Sequence, residues 1–524
     1  MVFHLYIHSP STLQQPSNPP TDELEMEDLD AFEWDISKLV PDDGIPAGAP
    51  RAIALNIPPA VADEHLATEL RGQNADIPIN QLPNELLAYI FKLAHSSLSP
   101  ERSPEPAIHF LSCASGVCSR WREVVHGTPS LWSTISSSSD RSDFQKTCKA
   151  IWKILLLSNG SPLDIFLTLR MKQWQVEEIL AILLPHSKRW RVFSLSLPLL
   201  GYNCAKVREQ LGAIDVDALQ HFSLHVDYGD GRPQSQTGMP VILVNGAPQL
   251  SFLRLSNAMV KVNLPTCSSL RTLELGTYTS PEFTWDEFKT HLASFPALEN
   301  LSLVAFKCHV PQRPTLQDTL ILPHLRRLRF HQPNCAVFGG LLPLIQFPVL
   351  EQLSLFKIAD TEVKLNTRYP QVKFIDLERW VLDESGYRNL FKIFPNVEHV
   401  VLGAGCQMIL RILAKDDPPA WSSLTTLSVK SGFARSSGWE IVLQLMHARE
   451  SRMGIPLKLV RMDPETKNYW MAKEEWPYTG GETMLVGMES KAMESWMTWP
   501  TVLAHEDPHA NVSTRFSAHG GGID

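Results

Sequence analysis

The sequence, 524 residues long, is short of several features that would place it at once. No stretch approaches the roughly 18 uninterrupted apolar residues that a membrane-spanning helix needs. The start, MVFHLYIHSPSTLQQPSNPP, has neither the basic cluster nor the apolar run of a secretory leader, so an intracellular protein of cytoplasm, nucleus or both is expected. Positive charge is not in excess. Lys plus Arg number 47 against 56 Asp plus Glu, a net charge of −9. Nothing global would neutralise phosphates, so neither nucleic acid nor membrane is expected as a partner. The eight cysteines include no Cys-x-x-Cys pair, which argues against zinc and redox chemistry and leaves reduced core thiols. The sequons at Asn159, Asn300 and Asn511 are then idle. Catalytic signatures are missing as well: no G-x-S-x-G, Walker A, G-x-G-x-x-G, HExxH or EF-hand loop occurs. The chain is expected not to be an enzyme, with no catalytic residue, metal or cofactor. What it does have is a 44% apolar content, enough for a large core, and 39 prolines, which must recur as punctuation. Its length allows two to four domains.

Residues 1–57 read as a disordered region with eight acids between Asp22 and Asp35, interleaved with Leu24, Met26, Leu29, Phe32 and Trp34. Such a segment is a solvated tail or a partner-binding motif that folds on contact. Residues 58–77 form a linker, with a short amphipathic helix at 58–71 on Val61, Leu66 and Leu70.

Residues 78–136 are richer. Pro83 suits the first position of a helix, and Leu86, Leu87, Ile90, Phe91 and Ala94 follow at helical spacing. After a Ser/Pro-rich insert, Phe110, Leu111 and Ala114 suggest a second helix. Val117, Cys118, Trp121, Val124 and Val125 suggest a third, with Arg120 and Arg122 on its wet side and Gly127 as its stop. Three short helices make a small core for so many large apolar groups, so several should stay exposed unless a partner covers them. The phrase Leu82-Pro83-x-Glu85-Leu86, then Ile90-Phe91, Val117-Cys118-x-x-Trp121-Arg122 and Pro129-x-Leu131-Trp132 resembles an F-box. More narrowly it is similar to the F-box-like proteins abundant in mushroom-forming fungi. The resemblance implies a three-helix module that binds the small adaptor of SCF (adaptor–cullin–F-box) ubiquitin ligases. It implies that Leu82, Pro83, Leu86, Ile90, Phe91, Val117, Cys118 and Trp121 face the adaptor or brace its contact surface, and that Trp132 seals the module. The Ser/Pro-rich insert departs from a compact F-box and leaves the path of residues 96–107 open.

From about 160 to 462 a phrase recurs: Pro or a polar residue, then L-x-x-L-x-L. Copies begin at Leu250, Leu270, Leu298, Leu325, Leu350, Val372, Val397 and Leu424, with weaker ones at Trp190 and Leu219. The mean step from Leu250 is about 25 residues, within the period of leucine-rich repeats. A strand-plus-return unit cannot bury its apolar face alone, so stacked copies build one core and a parallel sheet. Residues 284–295 and 384–394 have helical periodicity and fit the convex return. The fold class expected is α/β: a small F-box followed by an irregular leucine-rich-repeat solenoid over 137–462, with a cap and disordered tail over 463–524. The Asn or Cys that usually closes each repeat is replaced by Ala258, Tyr278, Phe306, Pro333, Ile358 and Gly405, so irregular curvature is expected.

Strand residues pointing away from the core form the candidate target surface. Arg327, Arg329 and His331 make a basic strip, Phe356 an apolar anchor, and Asp376 and Glu378 an acidic strip. Arg254, Glu274, Asn300, Ser302, Gln352, His399 and Lys430 share that face. His221 and His225 should be solvated there rather than bind metal. Asp227 begins a Gly-rich polar loop read as a flexible insert. Together these readings give a non-catalytic substrate receptor, joined through its adaptor to cullin and through its repeats to an unidentified target protein. The alternative is a repeat scaffold that delivers no ubiquitin.

Overall fold

The computed structural model describes residues 77–97, 105–140, 144–198, most of 205–462, and 484–487, all within one compact unit that starts at Asn74. The acidic N-terminal region, the helix expected at 58–71, the loop beyond Asp227 and, apart from 484–487, the cap and tail expected over 463–524 lie outside the described residues.

Three helices open the described chain: α1 (Asn84–Ser97), α2 (Glu105–Val117) and α3 (Ser119–His126). They run into the Ser/Pro-rich insert from both sides, so only residues 98–104 of it fall outside. Pro83 stands just before α1, and its carbonyl accepts the Leu87 N–H at 3.1 Å. Cys118 caps α3 with an extended backbone, its Sγ accepting the Trp121 N–H at 3.5 Å. Gly127 ends α3 for a reason other than a left-handed turn. Its φ is −75°, and an added Cβ would meet the Glu123 carbonyl oxygen at 2.8 Å. Leu87, Phe91, Leu111, Val124, Val125 and Trp132 are the buried centre of this segment. The Trp132 indole donates to the Val125 carbonyl at 2.8 Å.

The rest is a mixed α/β, solenoid-like array on one 14-stranded sheet whose hydrogen-bonded neighbours follow chain order. Its strands are β1 (Thr134–Asp140), β2 (Leu163–Arg170), β3 (Trp190–Pro198), β4 (His221–Asp227), β5 (Phe252–Ser256), β6 (Thr272–Gly276) and β7 (Asn300–Val304). They continue as β8 (Arg327–His331), β9 (Gln352–Phe356), β10 (Phe374–Glu378), β11 (His399–Leu402), β12 (Thr426–Val429), β13 (Leu459–Met462) and β14 (Met484–Gly487). Every pairing is parallel. The phrase copies from Trp190 to Leu424 become β3 to β12. The sheet also takes in β1 and β2 ahead of them and reaches β14 beyond residue 462.

Returns between strands carry α4 (Phe144–Leu157), α5 (Gln173–Leu183), α6 (Ala205–Gln210), α7 (Trp285–Ala293), α8 (Cys335–Leu344), α9 (Glu384–Ile393), α10 (Gln407–Lys415) and α11 (Gly438–His447). The expected returns at 284–295 and 384–394 are α7 and α9. Thr284 and Glu287 form a reciprocal capping box on α7. Asp383 caps α9 by accepting the Gly386 N–H at 2.8 Å.

In register, a row from Ile165 through Phe193, Phe222, Leu253, Leu301, Leu353 and Val400 to Val460 runs the length of the array, none more than 2% exposed. Apolar side chains at alternate positions point to one face, and stacking joins them into a single core. Side chains of several kinds satisfy carbonyls in the returns that lead into the strands. Tyr369 donates to the Leu342 carbonyl at 3.0 Å, the Trp421 indole to Phe394 at 2.7 Å, and Asn396 to Pro370 at 2.9 Å. Arg449, wholly buried, reaches the carbonyls of Trp421, Ser422 and Leu424. Burial pushes the Arg449 guanidinium down to about 10 and the Tyr369 phenol up to about 12.

Candidate protein-interaction surfaces

Helix α1 is apolar on two sides. Leu87 and Phe91 turn inward, at 0% and 2% exposure. Leu86, Tyr89, Ile90 and Leu93 form a second stripe at i, i+3, i+4 and i+7, exposed by 50%, 58%, 39% and 52%. Ile77 and Ile79 just ahead of α1, and Val117 at the end of α2, are also exposed and extend the apolar content of this segment. A surface helix normally keeps one apolar stripe for its own core, so a second points to a partner.

The turn before α1 is held from α3. The Arg120 guanidinium donates to the Leu82 carbonyl and to Asn84 Oδ1 at 3.0–3.1 Å. Trp121 donates through its indole to Asn80 Oδ1 at 2.6 Å and meets Phe91 edge-on, ring centroids 4.9 Å apart. The sequence placed Arg120 on a wet face and missed this positioning role, which depends on a contact 38 residues away.

The expected adaptor residues divide accordingly. Leu86, Ile90 and Val117 are exposed, and Pro83 also is open. Leu82, Cys118 and Trp121 are half-buried. Leu82 and Pro83 precede α1 rather than lying within it. Phe91 and Trp132, at 2% and 5% exposure, are core groups that fall on the bracing and sealing side of that expectation and not on the contact surface. Tyr89 and Leu93 join the surface. Their helical spacing from Leu86 was the signal available in the sequence.

The opposite face of the sheet is not uniformly open. On β5 to β7 both faces are buried: Arg254 is 4% exposed, Glu274 0%, Asn300 6% and Ser302 0%. Arg254 and Glu274 are register neighbours and form an ion pair at 3.2 Å. The Arg254 guanidinium also lies 5.6 Å from the Phe252 ring centre. These residues are therefore corrected from a solvated face to an interior one, as befits the middle of a parallel sheet.

On β8 to β10 partial exposure returns at Arg327, Arg329, Gln352, Phe356, Asp376 and Glu378. The strands are adjacent, as the repeat spacing requires. His331 is the exception at 1% exposure, because the Phe356 ring stacks on it with centroids 4.1 Å apart. His221 is likewise 2% exposed and stacked on Phe252 at 4.1 Å. Expected to be solvated, it is an interior group. The acidic strip is engaged within the chain. Lys430 Nζ crosses β11 to reach Asp376 at 2.9 Å and Glu378 at 3.1 Å. Gly403 opens that passage, since a Cβ there would come within 2.5 Å of Glu378 Cγ. Burial opposes the Lys430 charge, but the two carboxylates raise its pKa.

His399, 7% exposed, has Nε2 2.8 Å from Ser428 Oγ. Burial, with the Arg461 charge beside it, lowers its pKa to about 4. The unfolded imidazole titrates near 6.5, so this group's stabilising contribution is complete above that pH. It is lost as pH falls from about 6.5 to about 4. The shift corresponds to up to about 3 kcal/mol. Denaturation at pH 7 and pH 4.5 should show His399→Gln losing less stability on acidification than wild type. An equal loss in both would contradict the assignment.

Burial raises the thiols of Cys148 and Cys308, to about 11 and about 12, which makes them inert. Among the described residues, no group of three His, Cys, Asp or Glu side chains is placed to hold a metal, and no helix is long and apolar enough to cross a membrane.

The surfaces thus define a class: a small helical segment offering an apolar stripe, joined to a parallel repeat sheet. A family model described as F-box-like matches residues 79–138, the segment that carries α1 to α3, so an F-box-like domain is present there. No curated protein matches the chain.

Proposed function

We propose that the chain is a substrate-receptor subunit of an SCF-type ubiquitin ligase and has no catalytic chemistry of its own. The observation that carries this reading is the outward stripe of Leu86, Tyr89, Ile90 and Leu93 within the F-box-like match. Domains of this kind bind a small adaptor and through it cullin. The three helices serve as the docking module, and the leucine-rich repeats hold a target protein.

The part-open strands β8 to β10 suit the target best, with Phe356 as apolar anchor and Arg327 and Arg329 setting orientation and encounter rate. The intramolecular Lys430 clasp removes Asp376 and Glu378 from the first contacts. Replacing Phe356 by Ala and Arg327 and Arg329 by Glu should lower capture of wild-type targets at least ~10-fold. Equal yield from that variant places recognition elsewhere on the array. The second reading, a scaffold that binds the adaptor without delivering ubiquitin, shares the stripe and differs only in whether cullin is recruited.

A further inference from the structure

The turn that leads into α1 has little backbone bonding of its own. Pro83 has no N–H to give. The Leu82 N–H reaches the Ile79 carbonyl at 3.4 Å, a long bond, and the Pro83 carbonyl takes the Leu87 N–H. The Leu82 carbonyl stands one residue ahead of that bond, and its partner is a side chain of α3: Arg120 Nη2 donates to it. The same guanidinium donates to Asn84 Oδ1, through Nε at 3.1 Å and through Nη2 at 3.0 Å. The next side chain, the Trp121 indole, donates to Asn80 Oδ1 at 2.6 Å. Two neighbouring residues of α3 thus grip the turn on both sides of Leu82.

The outer side of the same turn is apolar and open. Ile77 and Ile79 are 44% and 37% exposed, Pro83 is exposed, and Leu86 begins the stripe on α1. A surface arginine commonly pairs with an acid or with water. Arg120 directs its donors at two neutral oxygens of one turn, and a planar fork holds such a pair in fixed relation as a flexible ammonium does not.

We propose that Arg120 is a positioning residue for adaptor docking. It locks residues 77–84 to α3, so that the turn and the α1 stripe meet the adaptor as one pre-formed surface. This rests on the ligase reading and adds to it that the surface begins at Ile77 and that its shape is set from α3. A locked turn has already given up the backbone freedom that binding would otherwise remove, so the lock raises affinity without touching the partner. Asn80 supplies a second lock through Trp121.

The test compares adaptor binding by full-length wild type, Arg120→Ala, Asn80→Ala and the double variant. Beside it, amide exchange of the uncomplexed proteins is followed at residues 77–87 and 119–126. Arg120→Ala should weaken binding at least ~10-fold and speed exchange over 77–87, while exchange at Val124 and Val125 stays slow. Arg120→Lys, which keeps the charge but not the fork, should fall between. Both locks act on one turn, so the double variant should lose less than the product of the two single losses. Faster exchange at Val124 and Val125 in Arg120→Ala would make the residue a general brace of the module and overturns the proposal. So does weaker binding with unchanged exchange over 77–87, which would make Arg120 a direct contact, and so does wild-type affinity in Arg120→Ala. A wild-type chain that fails to bind the adaptor would remove the ligase reading itself, and the proposal with it.

Discussion

Replacing Leu86 and Ile90 together by Asp should lower affinity for an SCF adaptor at least ~30-fold, with thermal unfolding nearly unchanged. The magnitude follows from interface hot spots, whose truncation commonly costs ~2 kcal/mol or more. Inserted carboxylates also leave charge unpaired in any desolvated contact. The unchanged stability follows from exposure: both side chains are already well open to water, and the core on this helix is Leu87 and Phe91. Phe91→Ala is the contrasting variant. It removes a buried ring that packs on Trp121 and should cost ~3 kcal/mol or more in stability, losing adaptor binding through unfolding rather than contact. A binding assay read alongside a melting curve separates the two. Wild-type affinity from the double Asp variant would show that the stripe is not the docking surface.

Glu274→Ala should destabilise the array by ~3–5 kcal/mol. The carboxylate is wholly buried, and its loss strands the Arg254 guanidinium, 4% exposed, in the interior of the sheet. Arg254→Met with Glu274→Leu removes both charges and keeps apolar bulk, and should unfold close to wild type. The expected pattern in urea denaturation is therefore one severe single variant and one mild double variant. A Glu274→Ala midpoint equal to wild type would mean that water reaches the pair. The interior placement of β5 to β7 would then be wrong.

That pair also shows where sequence reading stops. The alternation of Leu253, Arg254 and Leu255 tells that the arginine points away from the leucines, but not whether that second face meets water. Period-two patterning gives sidedness, while exposure is decided by everything that packs later. His221 and His331 were misplaced for the same reason, each covered by the ring of a register neighbour on the next strand. The repeats themselves were legible because proline and L-x-x-L-x-L recur at a narrow spacing from Leu250 to Leu424. Strand β1, TISSSSD, escaped because its serines carry no apolar signal, and β14 because one short strand makes no repeat. The helical segment at 84–126 was legible because Pro83, Leu87, Phe91, Val124 and Val125 keep helical spacing. Arg120 and Arg449 were not, since a cation bound to distant carbonyls looks, in sequence, like one bound to water.

If the F-box-like segment assembles this chain into a ligase, the chain should travel with adaptor and cullin in the cell. The decisive measurement is recovery of the tagged full-length protein from its native cell, with mass spectrometry of what comes with it. Adaptor and cullin should come together with the wild-type chain, and neither with the Leu86→Asp, Ile90→Asp variant. Wild-type protein recovered without adaptor or cullin, under conditions where other adaptor complexes remain intact, would contradict it.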